Sequence, residues 1–125
     1  LKPSMAIHGD LCTTKATPEA VATRTVEMLK RTTPAAVPTI NFLSGGQSSK
    51  QATLHLDLMN KSGDLPWNLS FSYGRALQEH SLKAWAGSEE NVEKAQSLLK
   101  KRMHLNSLAA KGEYSPDLEK AAATV

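Results

Sequence analysis

The chain has 125 residues, of which 40% are hydrophobic and 22% charged, values that are ordinary for a soluble globular protein. Its net charge of +3 arises from 15 basic and 12 acidic side chains interspersed along the sequence, which argues against a nucleic-acid partner. Apolar runs stay far below the roughly 20 residues that cross a bilayer, so no membrane partner is expected, and the single cysteine suits a reducing cytoplasm.

The first predicted helix follows a polar loop over residues 13–17. Thr17 fits an N-cap, and Pro18 fits the first helical position, where the missing N–H of proline would have no acceptor within the helix. Apolar side chains then recur at helical spacing. Pro34 and Pro38 cannot continue a helix, so the helix is expected to end before them.

The middle of the chain predicts a strand, a glycine turn and a helix in succession. Residues 39–43, TINFL, are apolar and β-rich, and SGGQS follows them. Residues 48–60 predict an amphipathic helix, capped by Ser48 or Ser49, although the alternation over residues 53–57 leaves a strand as the other possibility.

A second strand and two helices are predicted after this. WNLSF alternates apolar and polar residues from Trp67, and a helix then runs from Arg75 to Gly87. The longest helix is expected from an N-capping Ser88 to Gly112. Its Lys100-Lys101-Arg102 cluster is interpreted as a solvated face. Residues 115–125 are expected to form a loosely held tail.

Strands that alternate with helices predict βα units on a parallel sheet. The opening residues fit the end of one further strand, because Pro3 favours an extended conformation at Lys2. Three parallel strands bury little by themselves, and a (β/α)8 barrel takes about 250 residues. We therefore expect an α/β fold that is the C-terminal part of a (β/α)8 TIM barrel: about its last three βα units plus terminal helices. Residues 1–125 would be a fragment of this single domain, with the upstream strands missing.

Three strand ends carry the candidate functional residues: Lys2, the Ser44-Gly45-Gly46 turn, and the segment from Ser72 to Arg75. In a barrel, such positions meet at one mouth. Glycine turns at helix N-termini present free N–H groups to an anion, and an arginine adds a planar charged fork. A lone SGG is more often a simple turn, but two such strand ends together favour a phosphate site.

Lys2 has two possible roles. A lysine amine buried in an apolar barrel can lose its proton and attack a carbonyl to form a Schiff base, which would suit cleavage of a phosphorylated ketone. Spacing alone favours the other role, an ordinary surface lysine.

Several longer strings carry a family resemblance. LKPSM, TPEAVATRTVEMLKRTTPAAVP, FLSGGQS, PWNLSFSYGRALQ and LKAWAGSEENVEKAQ together resemble the C-terminal part of class I fructose-bisphosphate aldolase, over Leu1 to about Tyr114. The resemblance implies a (β/α)8 barrel without a metal or cofactor. It implies reversible cleavage of fructose 1,6-bisphosphate to dihydroxyacetone phosphate and glyceraldehyde 3-phosphate, in glycolysis and gluconeogenesis. By resemblance, Lys2 forms the Schiff base, and the substrate phosphate is bound by Leu43, Ser44, Gly45, Gly46, Ser72, Gly74 and Arg75.

The same resemblance implies a cytoplasmic homo-oligomer, commonly a tetramer, with a sugar-phosphate substrate. The chain departs from the family where KPNM reads KPSM and where the acids after SGGQS are replaced by Ser49-Lys50-Gln51. Its ending, AAATV, lacks the terminal tyrosine of animal members, so it more resembles the short, bacterial-like form. The family's acid–base carboxylates match no residue of this chain, so the fragment alone is expected to be inactive.

Two alternatives to a fructose-bisphosphate lyase stay open. One is a non-catalytic phosphate-ester-binding or assembly module built on the same half-barrel, and the other is a Schiff-base barrel that acts on a different sugar phosphate. The four histidines, including His55, lack zinc-ligand spacing, which argues against a metal-dependent aldolase. Asp57 is expected to lie on a helix surface without a partner.

Overall fold

The structure, a computed structural model, describes residues 1–121; helices and short strands alternate along its first part, and helices alone follow the second strand. The elements are α1 (Pro18–Thr32), β1 (Thr39–Phe42), α2 (Ser49–Asn60), β2 (Asn68–Phe71), α3 (Arg75–Trp85), a 3-10 turn (Glu89–Asn91), α4 (Val92–Ala109) and α5 (Leu118–Ala121). Each strand is followed by a helix, and the segment predicted over residues 48–60 forms α2 rather than a strand, with Ser48 as its N-cap. Among the described residues, no helix is both long and apolar enough to span a bilayer.

The sheet contains two parallel strands and is extended by the first residues of the chain. β1 pairs with β2 so that Asn41 lies level with Ser70. On the other side of β1, the amine of Leu1 donates to Thr39 O at 3.1 Å, and Leu1 O accepts from Asn41 N at 2.8 Å. This is the slanted pattern of parallel strands, so residues 1–3 run parallel to β1 and Lys2 lies level with Asn41.

The two faces of the sheet differ in polarity. Ile40 and Phe42 are fully buried and Leu69 nearly so, and all three belong to the core that the helices form on this face. The alternate residues of the strands are polar and keep partial exposure, as Asn41 and Ser70 do. Since successive side chains point to opposite faces, one face packs on the core and the other carries polar groups.

Two helix starts follow the predicted capping. The Thr17 side chain accepts a hydrogen bond from Ala20 N, with Pro18 in the first turn of α1. Ser48 and Gln51 form a reciprocal capping box at the start of α2, which identifies Ser48 as the cap. These local bonds satisfy backbone donors that a helix leaves free at its N-terminus.

The prediction for the longest helix is wrong at its beginning. Ser88 makes no capping bond through its side chain, and residues Glu89–Asn91 form a 3-10 turn before α4 begins. At the other end α4 stops at Ala109, and Gly112 adopts a φ of +71° in the turn that follows. A left-handed backbone of this kind is open to glycine at little cost, so Gly112 acts as the predicted stop signal.

The interpretation of the basic cluster as a solvated face is wrong for Arg102, whose side chain is only 10% exposed. Its guanidinium forms a two-point ion pair with Glu119, with N–O distances of 2.8 and 2.9 Å. The Tyr114 hydroxyl also donates to Glu119, at 3.0 Å. Burial alone would raise the pKa of Glu119, but its bonds and charge attraction to Arg102 outweigh this and lower the pKa.

Two further expectations are corrected near this ion pair. Ser115–Ala121 is not a loose tail, because α5 is fastened to α4 through Glu119; residues 122–125 lie outside the described part of the chain. Asp57 is buried and has partners, since it accepts hydrogen bonds from Tyr114 N at 2.9 Å and from the Lys61 ammonium. Both corrections bring the C-terminal segment against α2 and α4.

Candidate functional site

The turn after β1 has two exposed glycines between two buried polar residues. Ser44 and Gln47 are buried, whereas Gly45 and Gly46 between them are exposed. Gly45 has a φ of +56°, in the left-handed region that a residue with a Cβ rarely adopts. The amides of Gly45 and Gly46 donate to no acceptor among residues 1–121. Adjacent free N–H groups next to a helix start form a concavity that suits an anion.

The turn after β2 offers similar groups. Gly74 is the N-cap of α3 and has no capping side chain, and the amides of Gly74 and Arg75 find no acceptor in the described part of the chain. Tyr73 is buried beside them, and its hydroxyl donates to Ala52 O in α2 at 2.8 Å. This bond fixes the start of α3 against α2, which itself follows the first turn.

Arg75 connects the two turns. Its Nη2 donates to Gly45 O at 3.1 Å and to Gln47 O, and its Nη1 donates to Glu79 at 3.0 Å. Bonds to Lys83 are the main cause that lowers the pKa of Glu79, so this carboxylate stays ionised and holds Arg75. The Nε–H group of Arg75 is not bonded to any described residue, which leaves the guanidinium able to bind an anion as well.

Lys2 lies on the polar face of the sheet, at the edge where both turns leave the strands. It is level with Asn41 and Ser70, two residues before the level of Leu43 and Ser72. Its side chain is exposed, and its ammonium makes no hydrogen bond to the described residues. The structure therefore brings the two predicted turns into contact and places Lys2 on the same edge, with no hydrogen bond from its ammonium to either turn.

Two side chains beneath the first turn were not singled out by the sequence pattern. Gln47 Nε2 donates to Ser44 O at 2.9 Å, and Gln47 Oε1 lies 2.6 Å from His55 Nδ1. A carbonyl oxygen can only accept, so the amide nitrogen must face Ser44 and His55 Nδ1 must carry the proton. The available signal was a polar residue, His55, at a position of α2 whose apolar neighbours Ala52 and Leu56 mark the buried face.

The environment of His55 keeps its ring neutral. Burial is the main cause that lowers the pKa of His55; the nearby Glu19 raises it to a smaller extent, and His8 lowers it further. A neutral ring with its proton on Nδ1 is the tautomer that donates to Gln47. The pair is thus a satisfied buried polar contact, as such groups must be to offset their desolvation.

These features define a class of site. Two turns with free amides lie at the carboxyl edge of a parallel sheet, an arginine bridges them, and a lysine stands on the same edge. In a βα-type protein, an edge with these donors has the chemistry to bind an anion such as a phosphate group.

The comparisons with known proteins identify the family. A model of the glycolytic class-I fructose-bisphosphate aldolase family matches residues 1–125. The chain belongs to the class-I fructose-bisphosphate aldolase family, as the sequence resemblance predicts.

Individual relatives agree with this result. The chain is 51% identical over 120 residues to the cytosolic fructose-bisphosphate aldolase 4 of Arabidopsis thaliana, and this match covers 95% of the chain and 30% of the relative. It is 54% identical over 115 residues to fructose-bisphosphate aldolase B of Gallus gallus, covering 91% and 32%. A solved fructose-bisphosphate aldolase from Plasmodium falciparum, in complex with TRAP and a small molecule inhibitor, superposes with a TM-score of 0.88 at 48% identity.

The match covers most of this chain but only part of each relative. The superposition covers 91% of this chain and 33% of the Plasmodium protein, so the chain spans about a third of the length of the proteins that it matches. At this identity and TM-score, the chain shares the fold of the corresponding part of an aldolase.

Proposed function

We propose that this chain is the C-terminal part, about the last three βα units, of a (β/α)8 aldolase barrel that cleaves fructose 1,6-bisphosphate reversibly. The observation that carries the proposal is the bridge from Arg75 to the carbonyl groups of Gly45 and Gln47. It joins the two amide-rich turns into one anion site on the edge that also holds Lys2. Membership of the aldolase family supports the reading of that anion as a substrate phosphate.

Each predicted residue has a role that its position supports. The amide groups of the two turns and the Arg75 guanidinium would bind the phosphate, with the hydroxyls of Ser44 and Ser72 as further donors and Leu43 as an apolar wall. Both glycine turns allow the backbone to approach closely. The proposed phosphate-binding residues are Leu43, Ser44, Gly45, Gly46, Ser72, Gly74 and Arg75.

Lys2 would supply the nucleophile. Its neutral amine attacks the ketone carbon of the substrate, and loss of water gives an iminium ion. The C4 hydroxyl then loses its proton to a base of the complete protein, the C3–C4 bond breaks, and its electron pair moves toward the iminium, which releases glyceraldehyde 3-phosphate and leaves an enamine. Protonation of the enamine and hydrolysis return Lys2 and release dihydroxyacetone phosphate. The proton-transferring carboxylates of this mechanism are expected on strands upstream of this chain.

The assembly and compartment of the protein are part of the proposal. By family resemblance we propose a homo-oligomer, a tetramer in the simplest case, of the short form seen in bacteria. A cytoplasmic location is supported by the cytosolic Arabidopsis relative, while another Arabidopsis relative is chloroplastic. Light scattering of the complete protein tests the tetramer.

Trapping of the Schiff base tests the lyase function. Borohydride reduction of the complete protein in the presence of dihydroxyacetone phosphate should leave a stable tag on the peptide that contains Lys2. A Lys2→Arg variant is the control, and it should be neither tagged nor active. An unmodified Lys2 peptide in an active preparation would refute the assignment. Binding of the sugar bisphosphate without trapping or turnover would instead support the phosphate-binding module.

A further inference from the structure

The direction of the Gly45 amide depends on the carbonyl group of Ser44, because both belong to one planar peptide unit. In a trans peptide, the C=O and N–H bonds point in opposite directions. Ser44 O is held on the buried side of the turn by two donors, Gln47 N at 3.2 Å and Gln47 Nε2 at 2.9 Å. The Gly45 N–H group therefore points to the opposite, exposed side.

Gln47 is itself fixed at several atoms. Its Oε1 accepts from His55 at 2.6 Å, its Nε2 also contacts Met5 Sδ at 3.6 Å, and its main-chain oxygen accepts from Arg75. Gln47 and His55 are each only 5% exposed, so water cannot replace these partners easily. A break in the His55–Gln47 bond would leave two buried polar atoms without partners.

We propose that His55 and Gln47 are positioning residues that hold the Ser44–Gly46 turn in its anion-binding conformation. The chain of contacts runs from His55 in α2 through the Gln47 side chain to the Ser44 carbonyl, and through the peptide plane to the Gly45 amide. This inference rests on the proposed phosphate site. It adds to that site two residues that do not touch the anion.

The alternative is that the pair merely fills the space between the turn and α2. The two roles differ in what they affect. A space-filling pair supports thermal stability and the fraction of folded protein, and leaves affinity for an anion unchanged. A positioning pair supports affinity for the anion, and its effect depends on which hydrogen bonds a substituted side chain can still make.

Three variants of the complete protein separate the two roles. His55→Leu removes the donor to Gln47. His55→Asn keeps it, because the amide nitrogen of asparagine is as many bonds from Cβ as Nδ1 of histidine. Gln47→Glu keeps an acceptor for His55 but cannot donate to Ser44 O. His104→Leu, at an exposed position of α4, is the matched control for loss of a histidine.

The readout is the dissociation constant of inorganic phosphate from calorimetry, together with KM and kcat for fructose 1,6-bisphosphate and the melting temperature. Loss of one such hydrogen bond should weaken phosphate binding and raise KM roughly threefold to tenfold in His55→Leu and Gln47→Glu, with kcat nearly unchanged. His55→Asn should restore most of the affinity, and His104→Leu should match the wild type.

Two outcomes would overturn the inference. One is a phosphate affinity in His55→Leu and Gln47→Glu equal to that of His104→Leu. The other is a loss in His55→Asn as large as in His55→Leu. Should His55→Leu fail to fold, the comparison of Gln47→Glu with His55→Asn decides alone. Since calorimetry does not require turnover, a wild type that binds phosphate but cleaves no substrate would refute the lyase proposal and leave this test intact.

Discussion

The ion pair between Arg102 and Glu119 should decide whether residues 115–121 stay docked on α4. Both side chains are at least nine-tenths buried, and the two N–O contacts are parallel. Removal of one member of such a pair costs about 3–5 kcal/mol, because the other charge stays buried without its partner. In Glu119→Gln, Arg102 keeps its 3.1 Å bond to Thr53 Oγ1, so we expect the lower end, about 3 kcal/mol.

Hydrogen exchange measures this cost directly. The amides of Leu118, Glu119 and Lys120 donate to the carbonyls of residues 115–117, in the turn that leads into α5, so they exchange when the segment opens. A loss of about 3 kcal/mol should accelerate their exchange about a hundredfold in Glu119→Gln, as followed by mass spectrometry of the C-terminal peptide of the complete protein.

A second ion pair in the same segment provides the control. Asp117 and Lys120 lie 3.8 Å apart, and their side chains are 89% and 88% exposed. Asp117→Asn should accelerate exchange less than about fivefold, since exposed pairs contribute at most about 1 kcal/mol. The double variant Arg102→Met with Glu119→Leu should recover much of the protection, because an apolar pair leaves no unpaired charge. Equal exchange in Glu119→Gln and Asp117→Asn would refute the reasoning.

Two further predictions concern the candidate anion site and the histidine beneath it. Arg75→Lys should weaken binding of inorganic phosphate about tenfold or more in calorimetry, because an ammonium cannot bridge the two turns and bind the anion at once; unchanged affinity would contradict this. Burial lowers the pKa of His55 in the folded protein. In the unfolded chain the histidine takes up a proton near pH 6.5, whereas at the same pH folded His55 stays neutral. Stability should therefore fall as pH drops below about 6.5, and less so in His55→Asn; parallel urea midpoints of the two proteins would rule this out.

Features that depend on neighbouring residues could be predicted from the sequence. The starts of α1 and α2 follow from Thr17-Pro18 and from Ser48, because the capping bonds span only three residues. Ser88 shows the limit of this argument: it has the right residue type, but the chain after it forms a 3-10 turn, which local preference does not distinguish from the first turn of an α-helix.

Features that depend on distant partners could not be predicted. Arg102 and Glu119 are 17 residues apart, and the helix pattern gives no indication that α5 folds back onto α4. A basic residue on an amphipathic helix is more often solvated, so only the position of Glu119 reveals that Arg102 is buried. The prediction for Asp57 is wrong for the same reason, since its partner Tyr114 N lies 57 residues further along the chain.

The candidate site combines both cases. Its strand-end residues could be predicted, since parallel strands end at one edge, SGG begins one residue after β1, and SYGR follows β2 directly. The support beneath the first turn could not be predicted, because the contact of His55 with Gln47 depends on how α2 is rotated about its axis against the turn. A histidine among the apolar positions of α2 indicates a buried polar partner, but it does not identify Gln47 as that partner.

The polar face of the sheet bears on the place of Lys2 in a larger fold. Parallel sheets are normally covered on both faces, and a face that packs against helices carries apolar residues. Here Lys2, Asn41 and Ser70 form a polar row across the strands, level with one another and next to the turns that follow β1 and β2. Such a row is poorly suited to packing against a layer of helices. It is well suited to the interior of a barrel near its mouth, where a polar substrate, rather than another side-chain layer, covers the strands.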